Sequence, residues 1–168
     1  MRKYEFTGET KLQFGITLRR IRAAITITFP TGFQIKVGEL GGWIEKESNL
    51  EHDGNAWVYG NAEVSGDARV SGDARVSGNA EVSGNAEVSK PDHLVQIGAI
   101  GSRDAFTTFF RTKTGEIKVV GGCFYGTVSE FLAKVEMTHG DSKHGRVYRL
   151  AAELAIAQIE LSPVNENN

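Results

Sequence analysis

Residues 55–89 read NAWVYG NAEVSG DARVSG DARVSG NAEVSG NAEVS, so that nearly the same hexad occurs six times in succession. Valine recurs at every sixth position from Val58 to Val88, and alanine does so from Ala56 to Ala86. A fixed six-residue period without insertions is typical of a solenoid, in which successive coils stack and share one core. The stretch therefore predicts a parallel β-helix over residues 52–90.

The composition of the hexad assigns a direction to each of its positions. Valine and alanine are four residues apart, so in an extended chain both point to one face, which we expect to be the interior. The glycine that precedes each Asn or Asp favours a corner, because such pairs adopt positive φ easily. The position after alanine, occupied by Glu63, Arg69 and Glu81 among others, is expected to face water.

The hexad Val-Ser-Gly-Asn-Ala-Glu resembles the hexapeptide repeat of left-handed β-helix proteins, in which three hexads form one coil of eighteen residues. The resemblance implies that residue n stacks on residue n+18, which places Arg69 under Glu87 and Glu63 under Glu81. The second pair is unfavourable unless an arginine of another subunit, Arg69 or Arg75, lies between the carboxylates. Because six hexads make only about two coils, fewer than a solenoid usually needs, we expect a homotrimer.

Outside the repeat, the chain is expected to form two further regions. Residues 1–51 predict a β-hairpin cap, with strands at 16–29 and 33–37, and a first irregular coil. Residues 91–168 predict a small α+β domain with strands at 94–100, 106–111 and 117–120. Thr127 to Glu130 has the form of a capping box that opens a helix ending at Gly140. A second helix is predicted from an apolar face of six residues: Val147, Leu150, Ala151, Leu154, Ala157 and Leu161.

The fold class predicted is thus mainly β: a short left-handed parallel β-helix with an N-terminal β cap and a C-terminal α+β domain. The 168 residues carry 19 basic and 21 acidic side chains, and a net charge of −2 gives no general attraction to nucleic acid or anionic membranes. The single cysteine, Cys123, excludes a disulfide within the chain and favours a reducing compartment. With no apolar leader or membrane-length segment, we expect a cytoplasmic protein.

Two stretches resemble proteins encoded by phages and prophages. The first runs from Gly38 to Val58 and contains Leu-Gly-Gly-Trp-Ile at 40–44; some bacterial members of that family are labelled as transferases. The second includes Ile-Gly-Ser-Arg at 100–103, Gly-Cys-Phe at 122–124 and Thr-His-Gly-Asp at 138–141. Accessory phage proteins often act against host defences, so the resemblance implies a role of this kind in the cytoplasm of the host cell. It carries over no catalytic residue.

Three kinds of chemistry can be considered. Many hexapeptide-repeat proteins are acyltransferases with a histidine base, and His52 or His93, which flank the repeat, are the candidates for that role. Cys123 lies just before a predicted helix start, where a thiolate could be stabilised and His139 or His144 could serve as its base. The interpretation favoured for Cys123 is nevertheless a small buried core residue, which is what a free cysteine most often is. Cys123, His139, Asp141 and His144 lack a recognised metal-ligand spacing, so neither a metal nor a cofactor is expected.

The third kind is anion binding in the C-terminal region. The start of the helix at Thr127 offers unpaired N–H groups that attract phosphate or carboxylate. Basic residues on the preceding strands and after the helix could converge on it; the simpler interpretation, which the sequence favours, is that these charges are ordinary solvated positions. The predicted ligand site comprises Arg103, Arg111, Lys113, Thr127, His139, Lys143 and His144. The function predicted is a non-enzymatic oligomer that sequesters a host defence factor, and the more specific form of this prediction is a phosphorylated signalling nucleotide as the ligand. The alternatives are an acyltransferase and a structural scaffold.

Overall fold

The computed structural model describes residues 1–159 and 161, which form two compact units, Met1–Pro91 and Asp92–Asn168. None of the helices in the described part of the chain combines the length and the apolar character that crossing a membrane requires.

The first unit begins with a long hairpin that the sequence predicted only in part. Strands β1 (Tyr4–Gln13) and β2 (Ile16–Ala23) pair antiparallel, and β2 also pairs antiparallel with β5 (Leu40–Ile44). The short strands β3 (Ile27–Thr28) and β4 (Gln34–Ile35) pair with each other. The predicted strand 16–29 is therefore interrupted after Ala23, because its first half pairs with residues 4–13 rather than with residues 33–37.

The hexads form six strands of two residues each. They are β6 (Trp57–Val58), β7 (Glu63–Val64), β8 (Arg69–Val70), β9 (Arg75–Val76), β10 (Glu81–Val82) and β11 (Glu87–Val88). Each pairs in parallel with the strand eighteen residues away, as Glu63 with Glu81 and Arg69 with Glu87. The predicted register of n on n+18 is confirmed for these strands.

The predicted fold class, a left-handed parallel β-helix, is nevertheless wrong. The strands of the repeat are divided among three small sheets, and none of these sheets is closed. Two of them have two strands, β6-β9 and β8-β11, whereas the third has the order β1-β2-β5-β7-β10 and is mixed. The difference arises because β1 and β2, the longest strands of this unit, add antiparallel pairing to the sheet that contains β7 and β10.

The interior of the repeat follows the predicted pattern. The valines from Val58 to Val88 and the alanines from Ala56 to Ala86 are at most 2% exposed. Of the positions predicted to face water, Arg69 is exposed as expected, whereas Glu63 and Glu81 are partly shielded from solvent. The small alanine side chains allow the backbones of successive hexads to approach, and the valines fill the space between them.

The second unit consists of one antiparallel sheet and two helices. Its sheet has the order β12 (Leu94–Ile100), β13 (Ala105–Arg111), β14 (Ile117–Gly121) and β15 (Phe124–Thr127). The helices are α1 (Val128–His139) and α2 (Lys143–Gln158). The predicted capping box is confirmed, since Thr127 and Glu130 bond reciprocally, and Gly140 is the C-cap of α1. The fourth strand, β15, was not predicted.

Packing in this unit differs from the expectation for α2. The core contains Phe109, Val119, Phe131 and Val135, and α2 contributes Ala151, Ala152 and Ala155 to it. Leu150 and Leu154, which were predicted to belong to the buried face of the second helix, are 63% and 54% exposed. The core-facing side of α2 is thus alanine, which lets the helix lie close to the sheet. The predicted termination at Ser162 and Pro163 lies outside the described residues.

Candidate functional site

A cavity of about 180 Å³ lies in the second unit, between α1, the turn that joins β14 to β15, and the turn that precedes β13. A cavity of about 150 Å³ can hold a benzene ring, so this one has room for a ring-sized group. Its lining consists of Ser102, Arg103, Ala105, Phe106, Thr107, Gly121, Gly122, Cys123, Phe124, Phe131, Lys134, Val135, Thr138, His139 and Tyr148.

Glycine residues shape two sides of the cavity. Gly101 has a φ of +77°, and a β-carbon there would lie 1.8 Å from the Tyr148 hydroxyl oxygen. Gly122 has a φ of +61°, and a β-carbon there would lie 3.4 Å from Nη1 of Arg103. The absence of side chains at these two positions lets Tyr148 and Arg103 lie directly against the backbone. Glycine at these two positions therefore determines where the Tyr148 hydroxyl and the Arg103 guanidinium can lie.

Aromatic side chains form the apolar part of the cavity. Phe131 makes edge contacts with Phe124 and Tyr148, with ring centroids 5.5 and 5.6 Å apart. The rings of His139 and Tyr148 lie 5.5 Å apart at an angle of 35°. Pairs of rings at such distances hold one another in place, so the cavity offers a preformed surface on which a planar group could pack.

Three basic residues lie at the cavity. Arg103 comes from the turn before β13, whereas Lys134 and His139 come from α1. Within residues 1–159 and 161, no Asp or Glu belongs to the lining, and neither Arg103 nor Lys134 forms an ion pair. The hydroxyls of Thr107 and Thr138 add uncharged polar groups. An anionic group would find positive charges here without competition from a carboxylate of the cavity itself.

Of the seven residues predicted to form the ligand site, the lining in the described part of the chain includes two, Arg103 and His139. Arg111 lies in β13 and is 2% exposed, so its side chain belongs to the interior. Lys113 is exposed in the loop between β13 and β14, and Lys143 is exposed at the start of α2. His144 does not line the cavity, but the centroid of its ring lies 6.0 Å from that of the His139 ring.

The anion site expected at the start of α1 stays a prediction, but a side chain of the protein already bonds to two groups of Thr127. The carboxylate of Glu130 accepts hydrogen bonds from the Thr127 backbone N–H at 2.7 Å and from its hydroxyl at 3.0 Å. The backbone hydrogen bond from Thr127 lowers the pKa of Glu130 below its ordinary value, and the hydroxyl adds to this effect. The start of α1 thus holds its own anion.

Lys134, Thr138 and Tyr148 are members of the cavity that the sequence reasoning missed. A signal was present for two of them. Phe131, Lys134, Val135 and Thr138 are spaced i, i+3, i+4 and i+7, so they share one face of α1. Because Phe131 and Val135 were recognisable as apolar core positions, Lys134 and Thr138, which share their face of α1, could have been placed at the edge of that core.

Cys123 lies at the same cavity as His139. Cys123 is exposed, so the favoured prediction that it is a buried core residue is wrong. Among the described residues, no group of three or more His, Cys, Asp or Glu side chains is placed to hold a metal ion.

The two histidines considered as a base for acyl transfer, His52 and His93, both take part in the packing of the protein. His52 stacks on Tyr4 with a centroid distance of 4.4 Å, and its Nδ1 accepts a hydrogen bond from the Lys3 backbone N–H at 3.1 Å. Burial lowers the pKa of His52 below its ordinary value. His93 is 2% exposed, so a substrate could not reach its ring without a rearrangement.

The stacked carboxylates of the repeat find a partner within the same chain. Glu63 and Glu81 lie opposite each other on β7 and β10, and the Lys11 ammonium forms an ion pair with Glu63 at 2.6 Å. The arginine of another subunit that the sequence analysis invoked, Arg69 or Arg75, is therefore unnecessary. Burial, together with the charge of Glu63, still raises the pKa of the Glu81 carboxyl above its ordinary value.

Comparison with known proteins adds no further constraint. No family model matches the chain, and no curated protein matches it. The function must therefore be inferred from the geometry of the site.

Proposed function

We propose that the second unit binds a small anionic ligand with a planar ring, of the class of phosphorylated nucleotides, and holds it without chemical change. The observation that carries this proposal is the cavity that combines an aromatic surface with Arg103, Lys134 and His139 and has no carboxylate in its described lining. The ring of the ligand would pack against Phe131 and Tyr148. The phosphate would lie at the mouth, between the guanidinium and the ammonium.

The charges support an anion of this kind. Arg103 and Lys134 are exposed, so both can turn toward a bound phosphate, and each charge-assisted hydrogen bond contributes about 1.5–3 kcal/mol. Gly122 adds a backbone N–H beside Arg103, and the absence of a side chain at this position leaves room for a close approach. A ring in the cavity then fixes the orientation of the phosphate.

The biological role that we propose is the sequestration of a host signalling nucleotide by a phage-encoded protein. Its support is the resemblance of residues 38–58 and 100–141 to phage and prophage proteins. Binding without turnover suits that role, since a captured signal no longer reaches its receptor. A homotrimer, if formed, would present three equivalent cavities, and multivalent presentation raises avidity without new contacts.

The test is isothermal titration calorimetry with AMP, cyclic mono- and dinucleotides and ADP-ribose-type nucleotides. We expect at least one nucleotide to bind, and Arg103→Ala and Lys134→Ala each to weaken it about 10- to 100-fold. The matched control is Lys113→Ala, which removes an exposed cation of the same unit that does not line the cavity. If no nucleotide binds, or if Lys113→Ala weakens binding as much as the other two, the proposed site is wrong.

A second candidate function is favoured by the presence of Cys123 and His139 at one cavity. In this alternative the imidazole takes the thiol proton and the thiolate forms a bond to an electrophilic centre of the ligand. The bond from that centre to its leaving group breaks, the imidazolium returns the proton to the leaving group, and water then hydrolyses the sulfur-bound adduct. The described lining has no carboxylate to orient the imidazole, which is why we place binding first. Chromatography of the ligand after overnight incubation separates the two: unchanged nucleotide supports binding, whereas a product that Cys123→Ser abolishes establishes catalysis.

A further inference from the structure

The outer side of α2 carries an apolar stripe with no covering element among the described residues. Leu150 and Leu154 are 63% and 54% exposed, Ala157 is exposed, and Val147 is half-buried. Their spacing, 147, 150, 154 and 157, alternates three and four residues and so forms one continuous seam along the helix. Scattered exposed leucines need no explanation, whereas a seam of this kind is typical of a helix that packs against another helix.

The charges beside the seam favour one particular partner. Arg146 and Glu153 are both exposed, and because they are seven residues apart they lie on the same edge of the seam. If a second α2 lies antiparallel across the first, with its midpoint near residue 150, Arg146 of each copy faces Glu153 of the other. The contact is self-complementary, as a two-fold symmetric interface must be.

We propose that the protein associates through α2, with the seam formed by Val147, Leu150, Leu154 and Ala157 packed antiparallel against the same seam of a second copy. Two reciprocal ion pairs, each between Arg146 of one copy and Glu153 of the other, set the direction and the register. The Arg146 side chain already donates one hydrogen bond from Nη1 to the Asp141 carbonyl oxygen at 2.8 Å. That bond leaves other guanidinium N–H groups able to reach a carboxylate.

The size of the seam limits the strength of the association. The 16 residues of α2 span about 24 Å, so one helix face from each copy covers less area than a standard stable interface of about 800 Å² per partner. We therefore expect a reversible dimer with a dissociation constant on the order of 10–100 μM. This association has a two-fold symmetric contact and is an alternative to the trimer expected from the repeat.

The experiment is sedimentation equilibrium of the full chain from about 5 to 500 μM. Wild type should change from monomer to dimer over this range. Arg146→Glu and Glu153→Arg should each weaken dimerisation at least tenfold, because each places like charges opposite one another. The double variant carrying both changes restores opposite charges and should dimerise within about threefold of wild type.

Two further variants keep the proposal falsifiable. Leu150→Glu should abolish the dimer, and Lys113→Glu, the same reversal of charge at an exposed position outside α2, should leave it unchanged. Far-UV circular dichroism confirms that each variant is folded. A monomer at every concentration, a trimer that none of the α2 variants affects, or a charge-swapped double variant that stays monomeric would each overturn the proposal.

Discussion

The pKa of the Lys3 side chain depends strongly on its burial in the folded protein. Its side chain is 1% exposed, and its Nζ donates to the carbonyl oxygens of Asp53 and Gly54 at 3.3 and 3.5 Å. Burial lowers the pKa of the Lys3 ammonium to about 8, and the charges of Glu51 and Asp53 offset only part of that effect. Lys3 therefore links the start of β1 to the loop before β6 through hydrogen bonds. Burial of its positive charge offsets part of the stability that these bonds contribute.

The pH dependence of stability follows from this shift. The unfolded chain, with a lysine pKa of 10.5, binds the proton more tightly than the folded chain. The free energy of unfolding should therefore rise as the pH increases from about 8 to 10.5, by about 1–2 kcal/mol once solvent screening is included. Chemical denaturation at pH 7, 8, 9 and 10 measures it. Lys3→Met should remove the rise, and the exposed control Lys36→Met should preserve it; equal slopes in all three proteins would contradict the assignment.

Among the elements, the corners of the repeat depend on glycine for two separable reasons. Gly60 and Gly72 have the same φ of +58°. A β-carbon at Gly60 would come no closer than 3.8 Å to the Gly78 carbonyl oxygen, whereas one at Gly72 would lie 2.6 Å from the Ser89 carbonyl oxygen. The first corner thus requires glycine for its dihedral angle alone, and the second requires it for the dihedral angle and for close packing of the chain.

Alanine substitution should separate these two requirements. Gly60→Ala should lower the free energy of unfolding by about 1–2 kcal/mol, the strain of a left-handed conformation. Gly72→Ala carries the same strain and must also displace the backbone near Ser89, so we expect a loss larger by about 1–3 kcal/mol. Urea denaturation followed by circular dichroism measures both. If both variants lost the same free energy of unfolding, the backbone near Ser89 would have moved to accommodate the new side chain without cost, which would contradict this prediction.

The helices of the second unit show what local signals can establish. The start of α1 at Thr127 and its end at Gly140 were predictable because the groups that satisfy a helix end lie within a few residues of it. The buried face of α2 was not predictable in the same way. Leucine and alanine both fit an apolar helical pattern, and the choice of alanine for the core depends on how closely the sheet approaches the helix.

At the scale of the whole molecule, the chain contains two units that can be tested separately. All residues of the core formed by Phe109, Phe131 and their neighbours, and all residues of the ligand cavity, come from the second unit. A unit that contains its own core has the main requirement for folding alone.

The fragment 92–168 should therefore fold and bind without the rest of the chain. We expect a cooperative thermal transition, a stability of about 3–5 kcal/mol as is usual for a domain of this size, and nucleotide affinity within about threefold of the full chain. The fragment 1–91 is the control and should bind no nucleotide. An unfolded 92–168 fragment, or binding that needs residues 1–91, would show that the site depends on both units.

The hexads by themselves determined the inward valines and alanines and the glycine corners, because each of these follows from a period repeated along the chain. The eighteen-residue register was implied by the resemblance to hexapeptide-repeat proteins, and the pairing of the strands confirms it. The hexads did not determine the fold class. The antiparallel pairing of β1, β2 and β5 joins residues far apart in the sequence, and nothing in the hexad specifies whether its strands stand alone or extend a mixed sheet.

The candidate site shows the same division. The sequence identified Arg103 and His139 as basic residues able to meet an anion, but it assigned Arg111 and Thr127 to the same site. In the tertiary structure the Arg111 side chain is buried, and the Glu130 carboxylate accepts a hydrogen bond from Thr127. Lys134 and Tyr148 line the cavity instead. A capping bond acts over three residues and can be read along the chain, whereas a cavity exists only where separate elements pack and leave space between them.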